Sequence, residues 1–474
     1  MKFNDVIKVL KEENILVSYD EADIVFADIN YNSQEVTNNN LFVCKGVSFK
    51  KEYLESAIEK GVIAYVSETD FEVNIPKIIV SDSRIALAVL SKAFYPDNVF
   101  KIGITGTKGK TTTNYFIHNI LKHHLGYKPG IFATHYFYTG KNEGENHLTT
   151  PESLELHKYF NEMEKEGIEY ASMEASSQST LHKRIYGIKY NIGAFLNISE
   201  DHISPLEHKD FDDYFNCKLE FLKQCDTVIV YKHTDHFDKV IETVSDKKII
   251  TYGVKDADYI ISDIKNDKGL TFALNGEIYK INILGRFNVL NAACAIIMAK
   301  ELGVSYENIS KGLLETEVSG RMNVVYSKCP IIIDYAHNRL SAEALYKSLK
   351  EDFPNKKIKV VFGCPGDKGH NRRRDMGELA GIYADYVYLT AEDPGTSSVD
   401  EISKDIIKYI GHNNYEVIED RKKAIEKAIE DSTENDVIAL LGKGDENYQI
   451  IDNEWIPYET DIVVVKNAIE KVKE

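Results

Sequence analysis

Cysteine is scarce and scattered: six residues (44, 217, 225, 294, 329 and 364), with no two spaced as Cys-x-x-Cys. That excludes a disulfide framework and the usual zinc modules. Long apolar runs are missing too. None approaches the ~18 residues of a membrane span, and the opening MKFNDVIKVLKEEN is charged throughout, without the apolar stretch of a signal peptide. The expectation is a reduced, soluble, cytoplasmic chain without stable membrane association. Positive charge is in deficit, 57 Lys and Arg against 75 Asp and Glu, a formal net charge of −18. A nucleic-acid backbone is therefore excluded as the main partner. Any local Lys/Arg cluster then marks an anionic ligand. There are no internal repeats, and Asn38-Asn-Asn40 is the only hint of low complexity.

What is present suffices for several cores: 474 residues, 43% hydrophobic, predict two to four domains. Residues 1–97 read as a small α/β unit, with a helix at the start, strands at 40–44, 62–66 and 77–80, and helices at 53–60 and 83–94. The Tyr95-Pro96-Asp97 turn closes it. From 98 to 318 strands (101–105, 170–173, 192–196, 227–231, 248–251) alternate with helices, which predicts a largely parallel, helix-covered sheet. Residues 259–283 read as an antiparallel addition, and helices at 289–302 and 306–315 complete this domain. From 319 to 474 the pattern restarts with strands at 331–334, 359–362, 386–389, 415–418 and 436–441. The fold class is thus α/β in three domains, the last of them Rossmann-like.

The most informative segment is Gly106-Thr-Lys-Gly-Lys-Thr111, between the strand at 101–105 and a helix read at 114–124. A glycine-rich turn there lets backbone N–H groups surround phosphate. The helix N-terminus and Lys110 add positive charge, and Thr111 offers a hydroxyl to Mg²⁺. Strict Walker spacing would need glycine at Ile104, so the loop is a variant.

Two further strand ends carry polar groups: Glu174-Ala-Ser-Ser177 after 170–173, and Asn197-Ile-Ser-Glu-Asp201-His202 after 192–196. A carboxylate beside a phosphate loop is placed to hold Mg²⁺. Lys218, flanked by apolar residues on a helix, reads from spacing alone as a surface lysine with a buried stem.

GTKGKTTT, TTPES, EASS, NISEDH with Lys218 behind it, GRFNVLNAACA, GRMNVV and DYAHN follow one another in an order and spacing that resembles the Mur ligase family over essentially the whole chain. Thr149-Thr150-Pro151 and Gly442-Lys-Gly-Asp-Glu446-Asn-Tyr-Gln449 are most similar to the members that make the UDP-N-acetylmuramoyl-tripeptide (the MurE type). The resemblance implies a small UDP-sugar-binding domain (1–97), a central P-loop-type ATPase domain (98–318) and a C-terminal amino-acid-binding domain (319–474). It implies ATP and Mg²⁺ as cofactors, and UDP-N-acetylmuramoyl-dipeptide and a diamino acid as partners, in a monomer. The implied reaction phosphorylates a carboxylate to an acyl phosphate, which an amine then converts to an amide.

Residue by residue, the resemblance implies that Gly106, Thr107, Lys108, Gly109, Lys110, Thr111 and Thr112 hold the ATP phosphates. Asn291 and His337 match adenine-contacting positions, and Arg321 and Asp334 reach the phosphates and ribose, so that domain closure assembles the site. Lys110, Glu174, His202 and Lys218 form the catalytic set. Thr111 and Glu174 hold one Mg²⁺, and His202 with Glu174 a second. Lys218 matches a position that is carbamylated (N6-carboxylysine), a cation turned into a carboxylate-like metal ligand, which reverses the reading from spacing. Asn32-Ser33 and Lys45-Gly46 match uridine-diphosphate positions, although the family's Asp-Ser-Arg is Asn32-Ser33-Gln34 here. Thr149, Thr150, Ser177 and Arg184 match muramoyl-peptide positions, with Gln178 where the family has histidine.

For the added amino acid, diaminopimelate-adding members carry Asp-Asn-Pro-Arg where this chain has Glu392-Asp393-Pro394-Gly395. Losing an arginine and gaining negative charge favours a side-chain ammonium, hence L-lysine. Arg373 matches the α-carboxylate position, and Glu446 and Gly442 the ammonium end. Diaminopimelate, ornithine and lanthionine stay open as alternatives. From other classes, a P-loop nucleotide switch lacks an Asn-Lys-x-Asp guanine motif. A catalytically silent Mur-like binding protein would not need Lys110, Glu174, His202 and Lys218.

Overall fold

The strand Phe100–Thr105 is buried almost throughout because it runs through the middle of a parallel sheet. Gly103 in it faces Phe221 and Tyr190, whose rings occupy the space where a Cβ would stand. The computed structural model describes the chain apart from residues 47, 48, 135, 147, 201, 202, 204–206, 267, 268, 319–321, 367–369 and 474. These described residues divide into two compact units, 1–260 with 293–312, and 261–292 with 313–474.

The first unit holds two sheets. One has the order Leu16–Tyr19, Lys77–Val80, Val62–Ser67, Asn40–Val43, Asp28–Asn30, antiparallel at the first pair and parallel beyond it. The helices Phe3–Glu12 and Ser83–Phe94 contribute Phe3, Val6, Leu10, Leu87 and Leu90 to its core. Asp82 caps the second helix, accepting from the amides of Arg84 and Ile85 at 2.9 Å.

In the other sheet Phe100–Thr105 lies between Tyr170–Glu174 and Tyr190–Phe195, all parallel, with Ile104 opposite Glu174 and Thr105 opposite Phe195. Cys225–Tyr231 and Lys248–Gly253 continue one side, and Gly130–Ala133 with an antiparallel ribbon (Tyr136–Tyr138, Glu143–Gly144) the other. This register brings Gly106, Glu174 and Asn197 to one edge. In open α/β sheets that carboxyl edge is where ligands bind.

In the second unit the strands Asn323–Tyr326, Pro330–Asp334, Asp436–Leu441, Lys357–Phe362, Tyr386–Leu389 and Tyr415–Val417 form a sheet in that order, antiparallel only at the first pair. Asp334 pairs with Leu441 and Phe362 with Leu389, so residues 334–337, 363–366, 390–395 and 442–446 leave the same edge. The expected antiparallel addition is present as Ile261–Leu274 and Leu270–Ile281 pairings. A hairpin, Tyr448–Ile451 with Glu454–Pro457, was not legible in the sequence. No helix among the described residues is long and apolar enough to cross a membrane.

The largest buried side chain of the second unit is Arg421, paired through Nε and Nη2 with both carboxylate oxygens of Asp461 at 2.8 and 2.6 Å. Both side chains are fully buried. Asp461→Ala is expected to destabilise this unit by about 3–5 kcal/mol in urea unfolding, because it strands a buried guanidinium. Replacing both partners with apolar residues is expected to cost less; equal costs would contradict the pairing argument.

Candidate functional site

The phosphate loop closes around its own lysines. Gly109, at φ +88°, takes the left-handed conformation that lets the chain enter the helix Lys110–Leu125 at once, four residues earlier than the threonine run suggested. Gly106 packs so closely on the neighbouring strand end that a Cβ would lie 3.0 Å from Leu196 Cβ. The Lys110 ammonium donates to the carbonyls of Gly106 and Thr107 at 2.9 and 3.1 Å. Lys218, on the helix Phe211–Lys223, reaches the same Gly106 carbonyl at 2.9 Å and lies 4.6 Å from the Tyr214 ring centroid. It is buried, not a surface lysine.

Glu174 is 1% exposed, yet holds three donors: the Thr111 hydroxyl (3.1 Å), the Thr134 amide (2.7 Å) and the Thr134 hydroxyl (3.2 Å). Asn197 clamps the loop from the next strand, accepting from Lys108 N–H at 2.9 Å and donating to Lys108 C=O at 3.0 Å. Thr107 links to Ser199 and to the Tyr214 hydroxyl. Hydroxyl and carboxylate oxygens are the ligands a hard divalent cation takes, and the glycine loop suits phosphate, so the residues present fit ATP with Mg²⁺. His202 and Arg321 lie outside the described residues.

Thr149, Thr150, Ser177 and Arg184 are grouped near Glu174. Thr150 Oγ1 bonds the Glu174 carbonyl (2.9 Å) and Ser176 (3.1 Å), and Thr149 lies 3.4 Å from Thr134. Glu152, inside the quoted TTPES, ties them to the first sheet. It accepts from Lys45 Nζ at 2.6 Å and Arg184 Nε at 2.9 Å. Burial pushes its carboxyl up, but Lys45 and Arg184 win and hold it below the ordinary range. The Lys45 ammonium also sits 4.1 Å from the Tyr31 ring centroid. Buried Ser33 offers its carbonyl to Lys60 at 2.7 Å, and the same ammonium lies 3.4 Å from the Gln34 side-chain oxygen.

In the second unit Asn291 is buried and donates to Asn288 at 2.9 Å. Asp334 accepts from the amides of Met322 and Ala336, both at 2.8 Å, and His337 Nδ1 lies 2.7 Å from the Tyr335 carbonyl.

The acidic residues after the strand ends divide unequally. Lys443, fully buried, bridges Asp393 (2.9 Å) and Glu446 (2.5 Å) and lies 4.6 Å from the Tyr448 ring centroid. Glu446 also accepts from the Tyr335 hydroxyl. Sequence reasoning missed Lys443, although it stands in the quoted Gly442-Lys-Gly. Glu392 is different. Burial drives its carboxyl up to about 7, Asp393 adds to this, and Arg421 and Lys443 only partly oppose it. A Cβ at Gly442 would stand 2.7 Å from Glu392 Oε2, so glycine there leaves room for the buried carboxylate. Gly395, at φ +58°, is held by pairing with Ile450 and Asp452 of the hairpin region. Arg373 Nη1 pairs with Asp405 at 2.8 Å, Nη2 donates to the carbonyls of Gly366 and Pro365, and its buried Nε has no partner among the described residues.

Two family models match the chain: the Mur ligase middle domain over residues 104–299, and the Mur ligase glutamate ligase domain over 320–444. The chain is 38% identical over 462 residues to the UDP-N-acetylmuramoyl-L-alanyl-D-glutamate–L-lysine ligase of Streptococcus thermophilus, covering 95% of this chain and 94% of that one. It is also 38% identical to the enzyme of that name from Streptococcus pneumoniae, covering 99% and 100%. A solved UDP-N-acetylmuramoyl-L-alanyl-D-glutamate–2,6-diaminopimelate ligase superposes with a TM-score of 0.74 at 25% identity, over 100% of this chain and 99% of the other. The MurF ligase of Thermotoga maritima, solved with ADP, shares the fold at a TM-score of 0.59 and 19% identity, over 95% and 99%. With both family models in sequence order and full-length relatives at this identity, the chain belongs to the Mur ligase family.

Proposed function

We propose that this protein is an ATP-dependent amide ligase that joins L-lysine to UDP-N-acetylmuramoyl-L-alanyl-D-glutamate in peptidoglycan precursor synthesis. The observation that carries the reading is the meeting of Lys110, Thr111, Glu174 and Lys218 at one sheet edge. We take residues 1–97 as the UDP-sugar domain, 98–318 as the ATP domain and 319–474 as the amino-acid domain. Lys45 and Arg184, linked by Glu152, supply the positive charge that an anionic UDP-sugar requires of so acidic a chain.

A substrate carboxylate attacks the γ-phosphate, ADP leaves, and the resulting acyl phosphate is attacked by the amine, which loses a proton as phosphate departs. Lys110 screens the approach of two anions. Thr111, Glu174, His202 and a carbamylated Lys218 would hold Mg²⁺, which supplies further charge neutralisation to the phosphates. A carbamate suits Lys218 because it exchanges a buried ammonium for an anionic oxygen ligand.

Lysine is favoured because one buried cation, Lys443, is shared by Asp393 and Glu446 with Glu392 beside them, which leaves net negative charge for a side-chain ammonium. Assayed with lysine, diaminopimelate, ornithine and lanthionine, the enzyme is expected to release phosphate with lysine at least about tenfold faster than with diaminopimelate, whose second carboxylate would face Glu392. Release must require the UDP-muramoyl-dipeptide as well. ATP turnover indifferent to that acceptor, or a preference for GTP, would defeat the proposal.

A further inference from the structure

Behind the serine assigned to the muramoyl-peptide lies a buried chain of polar groups that the ligase reaction as described leaves unused. Ser177 opens the short helix Ser177–Leu181, directly after the strand that ends at Glu174. Its Oγ is 2.9 Å from His208 Nε2, and His208 Nδ1 is 2.9 Å from Asp213 Oδ2. His208 is completely buried and packs edge-on against Tyr214 at 5.3 Å between ring centroids. The same Tyr214 hydroxyl bonds Thr107 of the phosphate loop at 3.0 Å.

A carboxylate can only accept, so Asp213 fixes the ring proton on Nδ1. Nε2 then has two states. Without a proton it accepts from the Ser177 hydroxyl, which turns the serine inward. With a proton it donates to Ser177 Oγ, and the hydroxyl hydrogen is free to point at a ligand. An anionic ligand selects the second state, because it too can only accept.

We propose that His208, oriented by Asp213, turns the Ser177 hydroxyl toward the acceptor substrate as a hydrogen-bond donor to one of its carboxylates; both are positioning residues. This rests on the ligase reading above. Among the described residues, the charged and titratable groups around the ring are Asp213, Tyr214 and Cys217 on its own following helix, with Glu207 beside it bonded to Gln178. His208, Asp213 and Cys217 lie close enough to suggest a metal site. Both ring nitrogens are already engaged, however, and burial pushes the Cys217 thiol up to about 11, so no thiolate is on hand. The Ser–His–Asp order is also that of a nucleophilic triad, which the same experiment tests.

The experiment uses the full chain and measures calorimetric binding of UDP-N-acetylmuramoyl-L-alanyl-D-glutamate, with KM for that acceptor and for ATP. Ser177→Ala and His208→Phe are each expected to weaken acceptor binding about tenfold, with kcat and the ATP KM within about twofold. The double variant is expected to be no worse than either single one, since both remove one hydrogen bond. His208→Gln, whose amide can donate to Ser177, is expected to recover most of the loss. Asp213→Asn is expected to cost only about threefold, because the amide can donate to Nδ1 and leave the proton on Nε2. Should His208→Phe fail to fold, Ser177→Ala with Asp213→Asn decides the matter. Unchanged acceptor binding, additive losses, an equal shift in the ATP KM, stoichiometric zinc, or Ser177 labelling by a fluorophosphonate would each overturn the proposal. A wild-type chain that does not bind the UDP-muramoyl-dipeptide would instead overturn the ligase reading, and this inference with it.

Discussion

Lys110→Ala is expected to lower kcat/KM for ligation about a thousandfold, on the order of 4 kcal/mol of transition-state stabilisation. Its melting temperature should stay within about 2 °C of the wild type. The two effects separate because of where the residue stands. Lys110 is the first residue of a helix, where alanine is at least as good a helix former, and its ammonium bonds two carbonyls of its own loop. A carboxylate approaching a triphosphate meets like charge, and a fixed cation at the loop offsets it. Lys110→Arg keeps the charge but offers a larger planar group, and is expected to recover less than about a tenth of the rate. Lys218→Ala makes the contrast: the residue is buried with its ammonium over the Tyr214 ring, so activity and melting temperature should fall together. Phosphate release and thermal melts on the two variants check this. Lys110→Ala working at more than about a tenth of the wild-type rate would remove that lysine from the phosphate site.

The second large effect belongs to Glu392. Its carboxyl is raised in the fold from the ordinary 4.5 to about 7. Below pH 4.5 it is protonated both folded and unfolded and contributes nothing. Between 4.5 and 7 the unfolded chain ionises while the folded one holds its proton, so stability is lost as pH rises. Above 7 the penalty is constant, on the order of 3 kcal/mol. Glu392→Gln is therefore expected to melt about 5 °C higher than wild type at pH 8 and together with it at pH 4. The same residue should make lysine binding pH-dependent. The ammonium pairs with the ionised form, so KM for lysine is expected to fall about tenfold from pH 6 to pH 8, and to be flat and high in Glu392→Gln. A more stable variant that binds lysine poorly is the expected signature. A variant with normal lysine KM at every pH would remove Glu392 from amino-acid recognition.

Much of this was legible along the chain. The helix Tyr306–Glu315 and the strands Tyr386–Leu389 and Asp436–Leu441 fall at the residues expected from periodicity. The helix after the phosphate loop started too late in that reading. Threonines 111–113 read as loop, whereas left-handed Gly109 allows an abrupt entry. The hairpin at 448–457 was missed because its exposed strands lack an alternating apolar face.

Family membership was legible in the sequence by itself because each motif that carries it is a short contiguous run, and the phosphate-loop pattern was legible because its residues lie within a turn or two of each other. Which charges remain free was not. Glu152 meets Lys45 across 107 positions, Lys443 meets Asp393 across 50, and Ser177 meets His208 across 31. Those partnerships are set by how the strands are ordered in their sheets and by which loops the fold then brings together. Once they meet, burial makes each pairing count, since an ion or donor removed from water must be matched by whatever neighbour the fold supplies.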